Sequence, residues 1–180
     1  SFNELYLNNY FHLVWNKIYS LKVIQENHIR FKESLCNGED LLFNLDYLSY
    51  EIKICICENV LYHYVSDEND SSLSNRNNLY LLDNKALLYT KVHNFLIKDL
   101  GAAEDSNNNF ADSDIFLRDC FQIIDTLGKD KDDLQIILNH PSIKIALKSR
   151  GCGNIEFLLY RKALLSQKSG LIFLVSSIRL

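Results

Sequence analysis

The sequence predicts an α+β protein that is mainly helical, with a short β-pair in an amino-terminal part, residues 1–72, and a helical subdomain over 73–180. Three observations predict it. Apolar side chains recur at helical steps through most of the chain, and two β-rich runs stand side by side at 52–57 and 60–65. Between the two parts lies Ser66-Asp67-Glu68-Asn69-Asp70-Ser71-Ser72, a polar run with no core-forming residue.

Phe2, Leu5, Tyr6, Tyr10 and Leu13 fall near helical spacing, so an amphipathic helix over 2–13 leads into Val14-Trp15-Asn16-Lys17-Ile18-Tyr19. Residues 21–26 read as a helical turn and Ile29-Arg30-Phe31 as extended chain. Asn37-Gly38-Glu39-Asp40 is a turn-like entry to a helix whose apolar positions are Leu41, Leu42, Leu45 and Leu48. The runs 52–57 and 60–65, separated by Glu58-Asn59, have the pattern of two adjacent strands. Cys55 and Cys57 alternate with Ile54 and Ile56 there and read as small core residues. Beyond the polar run, a long helix over 79–100 ends at Gly101, and 102–109 is a polar loop. Further helices are predicted at 113–127, 132–138, 142–148 and 155–166, with Pro141 between the second and third, where its missing N–H does least harm. No repeat of fixed period occurs.

With 180 residues, 47% of them hydrophobic, the chain can bury one substantial core or two small ones. Its net charge of -4 and scattered basic residues argue against a nucleic-acid interface. The five cysteines are odd in number and contain no Cys-x-x-Cys pair, which favours a reducing compartment over a disulfide or zinc framework. Residues 1–9 lack a basic segment followed by an apolar run, so no signal peptide is visible, and no apolar stretch reaches the roughly 18 residues of a membrane span. A cytoplasmic protein is expected, at or near the inner face of the cell membrane.

The chemistry centres on Glu39 and Asp40. A carboxylate in the first turn of a helix faces unpaired N–H groups and the positive end of the helix dipole, and an ionised, oriented carboxylate can take the proton of an attacking hydroxyl. The plainer reading is helix capping, a common role for acidic residues at this position.

Five ordered elements extend this reading: 14–19 with Trp15, Ile29-Arg30-Phe31, Gly38-Glu39-Asp40 with Phe43-Asn44, Leu61-Tyr62-His63-Tyr64, and the serines of 71–74. Together they resemble the later, acceptor-side half of the family 2 glycosyltransferases, enzymes of GT-A fold that build bacterial capsular, cell-wall and lipopolysaccharide glycans. The resemblance fades beyond Asn75. It implies an inverting transfer from a nucleotide-sugar donor to a glycan or lipid-linked acceptor, with Asp40 as the base. By the same resemblance Glu39 holds the acceptor or supports Asp40, Trp15 stacks on a sugar face, and Lys17 binds an acceptor hydroxyl or phosphate. His63 is a further acceptor-side candidate, while Tyr62 and Tyr64 are assigned to packing. The family often carries a basic residue where Val65 stands, which puts a phosphate contact there in doubt.

The family's donor half, with its nucleotide-binding strand-loop-helix unit and metal-binding Asp-x-Asp, is not found before Trp15. Asp112-Ser113-Asp114 has the right letters but follows the catalytic pair, and helix capping is its expected role. No cofactor or metal is therefore assigned to residues of this chain. The complete enzyme is expected to use Mn²⁺ or Mg²⁺ with the donor, and the chain alone is expected neither to bind sugar nucleotide tightly nor to catalyse transfer. The competing function is a non-catalytic helical module for a partner or membrane surface. It rests on Gly170-Leu171-Ile172-Phe173-Leu174-Val175, flanked by Arg161, Lys162, Lys168 and Arg179, although so short a run more often belongs to a core.

Overall fold

The computed structural model describes residues 2–35, 37–50, 53–57, 59–63, 80–99, 111–127, 130–149 and 155–177. The chain divides into two compact units, Ser1–Asn75 and Arg76–Leu180. The polar run where the sequence places a boundary lies outside the described residues.

The amino-terminal unit contains α1 (Phe2–Leu7), a 3₁₀ turn (Tyr10–His12), α2 (Leu21–Glu26) and α3 (Glu39–Leu48). The helix expected over 2–13 is broken. Asn9 sits at φ 60°, a left-handed conformation that asparagine tolerates, and the Asn8 side chain donates to the Glu4 carbonyl at 2.8 Å, closing α1. Gly38 precedes α3 at φ 86°, where a side chain would be strained, and its carbonyl accepts the first helical bond, from Leu42 N–H at 3.1 Å. One apolar cluster gathers Ile29, Phe43 and Tyr47, flanked by Val14, Tyr19, Val23 and Ile24, and Tyr6, Phe11, Leu41, Leu42 and Leu45 are buried as well.

The predicted β-pair is not found: among the described residues, 53–57 and 59–63 form no strand. Ile56 is 85% and Val60 78% exposed. With no sheet neighbour and neither face covered, an isolated two-stranded pair gains too little to hold together. Cys55 and Cys57 are exposed as well, which corrects their reading as core residues.

The carboxy-terminal unit holds α4 (Tyr80–Lys98), α5 (Asp112–Thr126), α6 (Lys131–Asn139), α7 (Pro141–Lys148), α8 (Ile155–Ser166) and α9 (Ser169–Ser176). Helix α5 is the centre, packed against α4, α6, α7, α8 and α9. Its Phe116, Leu117, Cys120, Phe121, Ile123 and Ile124 join one continuous core with side chains of all five neighbours. Pro141 opens α7 at the position where the helix needs no N–H. Asp130 caps α6 by accepting from Asp132 N–H at 2.7 Å and Asp133 N–H at 3.1 Å.

Three acidic residues on α5 are paired with side chains from other helices: Asp119 with Lys85 at 3.0 Å, Asp112 with the His93 ring at 2.9 Å, and Asp114 with Arg161 at 2.6 Å. Lys85 precedes His93 on α4 while Asp119 follows Asp112 on α5, so the two helices run antiparallel. The capping role expected for Asp112-Ser113-Asp114 is thereby corrected: among the described residues no side-chain cap bond opens α5, and both aspartates are buried, Asp112 against His93 and Asp114 against Arg161. Arg161, expected beside a membrane-facing run, is buried. Its guanidinium also donates to the carbonyls of Ala146 and Ser149 and to the Ser113 hydroxyl. The run at 170–175 lies in α9, with Ile172 and Val175 buried and Leu171 and Leu174 exposed.

Candidate functional site

Helix α3 carries Asp40, Asn44 and Tyr47 at i, i+4 and i+7, which places them on one face. That face holds the irregular segment between the 3₁₀ turn and α2. Asn44, buried, donates through Nδ2 to the carbonyls of Phe11 at 2.8 Å and Leu13 at 3.1 Å, and its Oδ1 accepts from the Tyr19 hydroxyl at 2.6 Å. The Tyr47 hydroxyl accepts the Ser20 N–H at 2.8 Å. At the start of the helix, Asp40 Oδ2 accepts the Val14 N–H at 3.3 Å. Asp40 thus reaches across to a distant segment instead of capping its own helix.

This bond leaves Asp40 Oδ1 without a protein hydrogen bond among the described residues. Burial pushes the carboxyl above its ordinary value and the neighbouring Glu39 charge adds to the rise, while the Val14 N–H and the Lys17 charge oppose it. A carboxylate so placed is a better proton acceptor than one in water.

Lys17 donates to the carbonyls of Tyr10 and Leu13, the latter at 2.6 Å, and to Asn16 Oδ1 at 2.7 Å. An ammonium has three protons, and these three oxygens engage them all. Lys17 therefore fixes the carbonyls of the 3₁₀ turn and lends charge to Asp40, instead of offering a free donor. Burial brings it down to about 8, and the Asp40 charge works against that fall.

Trp15 follows the Val14 N–H that Asp40 holds. Its ring stacks on Tyr62 at a centroid distance of 5.2 Å, with 26° between planes. Both rings remain substantially exposed, Trp15 at 39%. Tyr62, expected only to pack, supplies the second ring of an open aromatic pair. His63 is exposed, and among the described residues no hydrogen bond or ring contact ties it to Asp40 or Trp15. Of the five residues singled out by sequence, Asp40, Glu39, Trp15 and Lys17 share one neighbourhood and His63 is not joined to it.

Sequence reasoning missed Asn44, Tyr19 and Tyr47 as the parts that fix this neighbourhood. One signal was present: a lone amide four residues after Asp40, on a helix otherwise rich in leucine. An open groove of about 500 Å³, lined by His28, Arg30, Phe31, Lys32, Asp46 and Tyr50 among others, lies toward the other end of α3 and includes none of the predicted site residues.

Among the described residues, no group of His, Cys, Asp and Glu is arranged to hold a metal ion. The carboxylates of Asp112 and Asp114 already face His93 and Arg161, and an arginine-paired carboxylate is a poor cation ligand. No protein family, curated protein or solved structure matches the chain.

Proposed function

We propose that Asp40 is the general base of an acceptor site, and that the amino-terminal unit is the acceptor-side half of a GT-A glycosyltransferase. The observation that carries the reading is the Asp40 carboxyl itself: pinned through one oxygen to Val14 N–H, unbonded at the other, raised above its ordinary value, and held to the residue that precedes Trp15, whose ring stacks on Tyr62. The exposed rings suit the apolar face of a sugar, and the carboxylate suits its hydroxyl.

In this reading Asp40 Oδ1 takes the proton of an acceptor hydroxyl as that oxygen bonds to the anomeric carbon of the donor sugar. The bond from that carbon to the nucleotide diphosphate breaks on the opposite face, so configuration inverts. Glu39 keeps the Asp40 carboxyl raised, and Lys17 and Asn44 are positioning residues that hold the segment bearing Trp15. The acceptor is a glycan or lipid-linked glycan of the kind used in bacterial surface polysaccharide synthesis. The nucleotide-sugar donor and its Mn²⁺ or Mg²⁺ fall to residues other than those described, and no step is routed through a metal.

Asp40→Asn in the transferase that contains this chain is expected to lower transfer by about 100- to 10,000-fold, with donor affinity unchanged. Wild-type turnover by that variant would remove Asp40 from the mechanism. Trp15 is the only tryptophan, so its fluorescence reports the acceptor site directly. Oligosaccharide acceptors should shift that emission, and an emission indifferent to every glycan offered at millimolar concentration would count against the site.

A further inference from the structure

The inner face of α8 is buried through Phe157, Tyr160, Ala163 and Leu164, as a packed helix requires. The outer face is also apolar. Ile155 is 76% and Leu165 63% exposed, and Leu158 and Leu159 are exposed between them. With Lys162 they stand at i, i+3, i+4, i+7 and i+10, which at 100° per residue confines them to an arc of about 120° and a stripe about 15 Å long. A helix that faced only water would carry polar residues on that side.

We propose that this stripe docks on the surface of an anionic lipid bilayer. Its only charge is positive, and Lys162 lies within it, where a lysine can bury its stem among the leucines and lift its ammonium to the lipid phosphates. Lys168, exposed just beyond the carboxyl end of α8, adds a second cation. The one carboxylate of the helix, Glu156, lies off the stripe and accepts the Tyr160 hydroxyl at 2.9 Å. A second copy of the chain fits less well, because two-fold pairing about the centre of the stripe brings Lys162 toward its own twin. The contact is superficial: among the described residues, no helix is long and apolar enough to cross a membrane. The surface is on α8, not on the run at 170–175 that sequence composition singles out, where Ile172 and Val175 are buried. The proposal is independent of the role given to Asp40.

Co-sedimentation of the full chain with phosphatidylcholine vesicles, with and without phosphatidylserine, tests it. The wild type should pellet with the anionic vesicles and stay in solution with the neutral ones. Leu158→Ser combined with Leu159→Ser should lower partition about tenfold or more, and Lys162→Glu should lower it about tenfold. Circular dichroism should show the helical content of both variants unchanged, and if the leucine pair fails that control, Lys162→Glu alone decides. The proposal is overturned by a wild type that does not pellet, by variants that pellet equally, or by a concentration-dependent dimer that the leucine substitutions abolish while no vesicle binding is seen.

Discussion

The carboxy-terminal unit is held by a continuous apolar core around α5, with the polar pairs of Asp112, Asp114 and Asp119 setting how its neighbours align. The amino-terminal unit buries apolar side chains of its own, among them Leu41, Leu42, Phe43 and Leu45 of α3, and its irregular segment is also tied to α3 by hydrogen bonds that Asp40, Asn44 and Tyr47 make. Apolar burial supplies most of a fold's net stability, whereas a hydrogen bond replaces one that water would have made and adds little. Hydrogen bonds do dictate orientation. The difference is that of a scaffold and a positioned surface: in the unit carrying the candidate base, polar contacts from α3 fix the segment that bears Val14, Trp15 and Lys17.

Breaking the scaffold should give the largest effect. Arg161→Met leaves the Asp114 carboxylate, fully buried, without its counter-charge, together with the carbonyls of Ala146 and Ser149 that the guanidinium satisfies. A loss of about 3–5 kcal/mol in urea denaturation is expected. Adding Asp114→Leu removes the stranded charge and should recover part of it. A loss below about 1 kcal/mol for the single variant would show that the pair carries little of the alignment assigned to it.

Asn44→Ala tests the other unit and should cost about 1–3 kcal/mol, because the Phe11 and Leu13 carbonyls lose a buried donor. Its signature is where the loss falls. Amide exchange should quicken through residues 10–20 while the core of α5 keeps its protection. Equal quickening in both units would erase the contrast between them.

These two sites also mark what a single sequence can disclose. The helices of the carboxy-terminal unit follow from local signals, namely apolar residues at helical steps and Pro141 at a helix start, and the observed α5 and α8 agree with the expected spans to within a residue. The β-pair does not, because alternation of Ile with Cys states a preference whose realisation depends on a neighbouring sheet. Asp112 and Asp114 show the same limit: a helix cap, a metal ligand and a buried ion pair are spelled alike. Only the partner tells them apart, and for Asp114 it lies 47 residues away. At the candidate site the place of Glu39 and Asp40 in the first turn of a helix entered through Gly38 was legible from local signals. The work of Asn44 was not, since its partners are backbone carbonyls that no residue type announces.

The smallest effect sharpens the comparison most. Asp40 binds its proton more tightly in the folded unit than in the unfolded chain, because burial and Glu39 raise its pKa. Below the ordinary carboxylate value of about 4, both states are protonated and the shift costs nothing. As pH rises from there through the raised value, the unfolded chain ionises first and the fold loses stability relative to it, a loss that persists at neutral pH. Asp40→Asn removes that penalty and keeps an oxygen for the Val14 N–H, so at neutral pH the variant should melt about 1–2 °C higher than the wild type, with the gap closing as pH falls toward 4. A scaffold residue substituted for its isostere should give no such gain. If the Asp40→Asn variant melts lower at neutral pH, the carboxylate is held for its contribution to the fold, and the contrast between an aimed surface and a stabilising core fails at the residue on which the proposed chemistry depends.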